Sequence, residues 1–456
     1  VSGESKPPSL SGRPDIHIPQ KRSIAVGRRL LVACARAAFE SAFRAEVGPL
    51  LREGPDWDWV VETAWTNRAV PLLQCGLAGF SKLVMARDLR LLRAAGRRAS
   101  ARNVAHVEEA ATITGGLEGA NVQAVVMRGV AYLETIYAGR LGLRDFSDVD
   151  LLIKRSDLTS ATSCLWGLGF GPPWWALDDR YYEKHHLHLV RVGGDRNVAV
   201  EIHWSLDHKH TPYRISTEEI LARARRTVGE PCHLLMDPED TLITACVHAF
   251  KHDPLVRHYL EHLSVGDLPF PDRHLMHLVD LAGMVVDGPG PKWPEVVTRC
   301  KRWHTELPVW AMLSYASAVL GVGVPLDILD TLRPPRMAWL QRGVSRTVRA
   351  LVGRPNQRGL GSRRRSKLLR YHLGLGFDPI RLVDLSGYLF PSIEEAKLRW
   401  GCRTSLGAIV RLMAHLIVSL MSLTHTLADA LYYSAKRNLR LRRTLRGSPS
   451  LRELTG

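Results

Sequence analysis

The chain has 456 residues, 45% hydrophobic and 23% charged, with a formal net charge of +17. That length supplies roughly two to four domains and a large core, and the balance is ordinary for a globular protein. Its seven cysteines are scattered, odd in number and without a C-x-x-C pair, which argues against a disulfide framework or a zinc ribbon and for a reducing, cytoplasmic setting.

Val1 to Arg22 is rich in Pro, Ser and charge and lacks the apolar centre of a secretory leader. Residues 1–23 are expected to be a disordered tail. From 24 to 118 the apolar residues Leu30, Leu31, Ala38, Phe39 and Phe43 recur at helical spacing, and Arg90 to Ala110 is rich in Ala and Arg. This predicts an N-terminal helical region. An α/β core is predicted over 119–215. Its strands are Gln123–Met127 and Val149–Ile153 with a helix between them over Val130–Ala138, then a second helix over Asp157–Leu168. A hairpin pairs His186–Val192 with Val198–Trp204 across Gly193-Gly-Asp195. Residues 216–330 return to helical spacing, with Pro238-Glu-Asp240 as a helix start. A basic C-terminal helical region covers 331–456. Its most apolar piece, Leu406 to Tyr433, is interrupted by Arg411, His415, His425 and Asp429, so no transmembrane segment is expected. A core-packing helix is the favoured reading there, and attachment to an anionic membrane surface the lesser one.

The most informative stretch is Ser147-Asp-Val-Asp-Leu-Leu-Ile153. On a strand, Asp148 and Asp150 project from the same face. Two carboxylates so close are costly unless something positive lies between them, and a divalent cation carrying substrate phosphates is the usual partner. Upstream, an apolar run reaches Arg128-Gly129 and opens into a helix, a junction that offers N–H groups to an anion. A phosphate-binding turn followed by an aspartate pair is the skeleton of a nucleotidyl-transfer site. In Val198 to Trp204, Glu201 and His203 share one face, and a Glu in the middle of a buried strand needs a partner: a shared metal, or a salt bridge to an Arg.

These residues resemble the nucleotidyltransferase-fold family of uncharacterised nucleotidyltransferases, within the minimal nucleotidyltransferase superfamily. The resemblance rests on Met127-Arg-Gly129, Arg140, Arg144, Ser147 to Ile153 and Val200-Glu-Ile-His-Trp204, in that order. It extends to Trp57-Asp-Trp59, Val70-Pro-Leu-Leu73, Asp240 to Asp253 with His248 and Lys251, Leu278-Val-Asp-Leu281 and Leu389-Phe-Pro-Ser392, thus from about Trp57 to Gly401. It implies a mixed α+β fold, a small nucleotidyltransferase-like mixed β-sheet core with flanking helices, embedded in extensive N- and C-terminal helical regions. It also implies transfer of a nucleoside monophosphate from an NTP to a hydroxyl or similar acceptor, with release of pyrophosphate. Asp148, Asp150 and Glu201 are then the catalytic and metal-binding residues, for Mg²⁺ or Mn²⁺, and Arg128, Gly129, Arg144 and Ser147 cradle phosphate. Arg140 is a further cation toward the triphosphate, or a cap on helix carbonyls. The chain departs from the family pattern at two of these positions. Arg128 stands where the family shows Lys, and Glu201 where it usually shows Asp.

The acceptor is left open between a peptide, a small molecule and RNA. A non-catalytic nucleotide- or RNA-binding protein with the same fold is the competing class. Gln341 to Arg370 carries ten Lys or Arg and no acid, and Lys436 to Arg446 six more. A polyanion partner is one reading of that charge and a solvated basic face the other. His186 and His188 share a strand face without further ligands at zinc-site spacing, and an acceptor-side role is open to either. His248, His252, His258 and His262 include an i, i+4 pair but no H-E-x-x-H motif, so core or surface histidines are expected.

Overall fold

The computed structural model describes residues 20–171, 186–191, 198–207, 213–227, 232–252, 274–286 and 290–334, with a few isolated positions besides. Contacts divide the chain into two units. The first gathers 1–209, 213–253 and 265–333, and all that follows concerns its described residues. The basic runs 341–370 and 436–446, the tail before Gln20, His258, His262, and most of 406–433 lie outside them.

The N-terminal helices are α1 (Gln20–Arg36), α2 (Arg44–Arg52), α3 (Trp57–Thr66), α4 (Val70–Gly76) and α5 (Ala86–Gly119). The first begins inside the stretch expected to be a tail. Helix α4 rides directly on α1 because Gly76 has no side chain: an added Cβ would stand 2.5 Å from Cys34 Cα. Over 34 residues, α5 runs for about 50 Å. Its buried positions Leu92, Gly96, Ala99, Asn103, His106, Ala110, Ile113 and Leu117 alternate steps of four and three, so one stripe faces the protein throughout.

The core begins with β1 (Val125–Met127), α6 (Arg128–Glu134), β2 (Asp148–Leu152) and α7 (Leu158–Gly167). Strands β3 (Phe170–Gly171), β4 (His186–Arg191) and β5 (Ala199–His203) follow. Next come α8 (Thr217–Arg223), β6 (Arg225–Arg226) and β7 (Leu234–Leu235). The predicted helix to Ala138 stops at Glu134, where Thr135 leaves helical backbone (φ −94°, ψ −86°), and Ala138 and Gly139 then turn the chain in left-handed backbone (φ 46° and 73°). Helix α8 starts where Ser216 accepts from the Glu219 N–H at 3.1 Å.

One mixed sheet holds all seven strands in the order β3-β4-β5-β2-β1-β7-β6. Strand β2 pairs antiparallel with β1 and parallel with β5, and β4 pairs antiparallel with β5. Period-two alternation then divides its faces. Val149, Leu151, Val200 and Ile202 are fully buried on one, while Asp148, Asp150, Glu201 and His203 are on the other.

The remaining helices are α9 (Pro238–His252), α10 (His274–Val286), α11 (Trp293–Trp303), α12 (Glu306–Leu320) and α13 (Leu326–Leu332), with α9, α10 and α12 packed on one another. None of the described helices is long and apolar enough to cross a membrane.

Candidate active site on the β2–β5 face

Register sets the site. Asp150 stands directly beside Glu201 across the β2–β5 ladder, Met127 faces Asp150 from β1, and His188 faces Glu201 from β4. Five side chains converge as a result. Asp150 Oδ1 receives Arg128 Nη1 at 2.6 Å and lies 2.9 Å from His203 Nε2. His203 Nε2 is also 3.3 Å from Glu201 Oε2, and His188 Nδ1 is 3.3 Å from Glu201 Oε1. Ligand atoms of Asp150, Glu201 and His203 all fall within 4.8 Å of one another.

The electrostatics follow from crowding acids in a half-buried place. Burial first, then the carboxylates of Asp150 and Glu201, push Asp148 up to about 6, against the pull of Arg128 and Arg68. Burial would raise Glu201 as well, but hydrogen bonds from His188 and His203 bring it well below the usual carboxylate range. The site therefore keeps Glu201 ionised while leaving Asp148 short of positive charge. The carboxylates suit Mg²⁺ or Mn²⁺, the imidazole beside them is more at home on Mn²⁺ than on Mg²⁺, and a dication would relieve the repulsion felt by Asp148. The donors present fit the implied metal.

Arg128 reaches Asp150 from a left-handed backbone (φ 50°) at the β1–α6 junction. Gly129 follows because nothing larger fits: a Cβ there would meet Phe146 Cδ2 at 2.4 Å. Ser147 is exposed, and its hydroxyl accepts from Arg68 Nη1 at 3.4 Å. Arg68 has no signal near it in the sequence, since 79 residues separate it from Ser147. It is held there by buried Asn67, whose side chain accepts from the Leu275 N–H at 3.0 Å and so ties the end of α3 to α10.

The other two expected phosphate cations are engaged elsewhere. Arg144 is buried and binds both oxygens of Asp280 on α10, with Nε and Nη2 each 2.9 Å from one of them, while Tyr137 Oη donates to the same carboxylate at 2.8 Å. Arg140 donates to the carbonyls of Ala38 and Tyr137 at 2.6 and 3.1 Å, the capping alternative. Both fix the segment between α6 and β2, which α5 also grips. Asn103 Nδ2 donates to the carbonyls of Leu141 and Arg144 at 2.6 Å each, Arg102 pairs with Asp145, and the His106 ring stacks on Phe146 at 4.9 Å.

Beside Arg128 opens a narrow cleft, with about 30 Å³ open to water, lined by Met127, Tyr132, Thr135, Met236, Thr244 and His248 among others. It is mostly apolar and lies next to a cation that already holds a carboxylate.

No curated protein and no solved structure matches this chain. The family described as "Uncharacterised nucleotidyltransferase" matches residues 53–321, which take in the whole sheet, the carboxylate cluster, Arg68 and helices α9 to α12. The chain belongs to that family of uncharacterised nucleotidyltransferases.

Proposed function

We propose that the chain transfers a nucleoside monophosphate from an NTP to a hydroxyl or similar acceptor, releasing pyrophosphate, with Mg²⁺ or Mn²⁺ held by Asp148, Asp150 and Glu201. One observation carries this reading: Asp150 and Glu201 adjoin on paired strands, with Arg128 Nη1 2.6 Å from Asp150 Oδ1. When bound, the metal supplies charge neutralisation on the triphosphate and a fixed geometry for in-line displacement. Arg128 can exchange its carboxylate for a phosphate oxygen, since a guanidinium binds either through the same N–H fork. Arg68 and Ser147 offer donors on the Asp148 side. Glu201 serves as ligand better than as base, because a base works best with a pKa near the operating pH and its hydrogen bonds hold Glu201 far below that. Arg144 acts through Asp280, by fixing the segment that ends in Ser147. A cytoplasmic location is part of the proposal, and the free cysteines Cys34, Cys246 and Cys300, all buried, are in keeping with it.

Calorimetry of NTP binding with Mg²⁺ tests this. Asp150→Asn should weaken binding at least about tenfold by removing a metal anchor, and wild type should release pyrophosphate when acceptor is supplied from cell extract. Unchanged affinity in Asp150→Asn rejects the metal role.

A second reading has its own support. Asp150 Oδ1 is already met by both Arg128 and His203, as expected of a binding protein that uses an internal cation in place of a metal. In that case NTP binds equally well in EDTA and no pyrophosphate forms. Whether the acceptor or a bound polyanion is RNA is read from salt, because RNA affinity falls steeply as counterions are released.

A further inference from the structure

We infer that His248, His252 and His277 form a second metal site, distinct from the carboxylates and built for a transition-metal dication of the zinc class. His248 and His252 lie one turn apart on α9, so both project from the same side of that helix. The third comes from α10, which packs against α9. Their ring centroids are 4.8, 5.3 and 5.4 Å apart, and one ring nitrogen from each falls within 4.8 Å of the others. Three half-buried imidazoles thus converge from two helices.

The closest approach is informative. His248 Nε2 and His252 Nε2 are 3.3 Å apart, a distance that fits a long hydrogen bond between the rings and equally two nitrogens on one metal ion. Two nitrogens, each about 2.0–2.1 Å from a tetrahedral zinc ion, stand about 3.3–3.4 Å apart. The spacing of the pair therefore matches the edge of a zinc tetrahedron. The third ligand's nitrogen lies within 4.8 Å of the other two.

Chemistry separates this site from the first. An all-imidazole set selects zinc, cobalt, nickel or copper, whereas Mg²⁺ takes oxygen ligands. The two nearby cations are themselves engaged, Arg128 by Asp150 and Lys251 by Asp207 at 2.6 Å. Three protein ligands leave a fourth position for water. His248 also lines the cleft beside Arg128, so the metal would stiffen the cleft wall by joining α9 to α10.

The test is Co²⁺ titration of the full chain in excess Mg²⁺, followed by visible absorption. One equivalent should bind with tetrahedral bands, both in wild type and in Asp150→Asn, whose carboxylate cluster is impaired. His277→Asn and His252→Asn should each lose affinity more than about tenfold, and Zn²⁺ should raise the melting temperature of wild type but of neither variant. Circular dichroism of the metal-free variants separates loss of a ligand from loss of fold. If one variant fails to fold the other decides, and if both fail, the spectrum of wild type and Asp150→Asn does so alone. Absent tetrahedral bands in wild type, thiolate charge-transfer bands, or binding that survives His277→Asn and vanishes in Asp150→Asn would each overturn the assignment. Because Asp150→Asn is read here by metal and not by NTP, failure of this site and failure of the nucleotidyl-transfer reading show up in different measurements.

Discussion

Arg128 sits in a backbone region that a side-chain-bearing residue enters at a cost of roughly 1–2 kcal/mol. Its guanidinium offsets that cost by meeting Asp150, whose side chain is only 5% exposed. Substitution can separate the two effects. Arg128→Gly and Arg128→Ala both lose the ion pair, but glycine also relieves the backbone, so chemical denaturation should find the glycine variant about 1 kcal/mol the more stable. Equal stability, or a more stable alanine variant, would show that the conformation is not strained. Much of the site at this scale was legible: same-face carboxylates at 148 and 150, and Glu201 and His203 together on a neighbouring strand. What stayed hidden was every partner supplied from afar. Arg68 comes from 79 residues away, and the Asp280 that takes Arg144 from 136. No local spacing encodes such meetings.

The segment between α6 and β2 has no regular structure, yet it is held as firmly as a strand. Asn103 binds its carbonyls, Arg140 crosses to the end of α1, and Arg144 clamps it to α10 through Asp280. The last is the most demanding, because both side chains are nearly inaccessible, 7% and 2% exposed. Asp280→Ala would strand a buried guanidinium and should cost about 3–5 kcal/mol in a urea melt, whereas an Arg144→Met, Asp280→Leu double variant should recover most of the loss. A cost under about 1 kcal/mol for the single change would mean that water reaches the pair. Strands β2, β4 and β5 could be read from alternation because each runs five or six residues with one apolar face. Strands β6 and β7 could not, since two residues carry no period. Helix α6 was read four residues too long because Thr135 to Ala138 continue an apolar helical pattern that the backbone abandons.

At the scale of the whole molecule, part of the sensitivity to acid is expected to come from a residue that also supports the site. His106 is wholly inaccessible on α5, and burial, followed by Arg102, presses it down to about 4 even though the Ser147 backbone favours its charged form. An unfolded chain binds this proton near 6.5, the folded one only near 4. Stability is thus intact above about 6.5 and drains as pH falls toward 4, by about 1.4 kcal/mol per unit for one such group. His106→Leu should therefore lose less melting temperature than wild type between pH 7 and pH 5. Equal losses would place the acid sensitivity elsewhere.

The pairing of Asp150 with Glu201 and of Val149 with Val200 has a consequence for how the protein is made. Sliding β5 by one position along β2 would drive Glu201 into the greasy layer beneath the sheet and lift Ile202 into the cluster of acids. Such an error cannot persist as a stable but inactive species, because the misplaced charge would unfold it. The geometry of the Asp150–Glu201 cluster and correct strand alignment are then a single event.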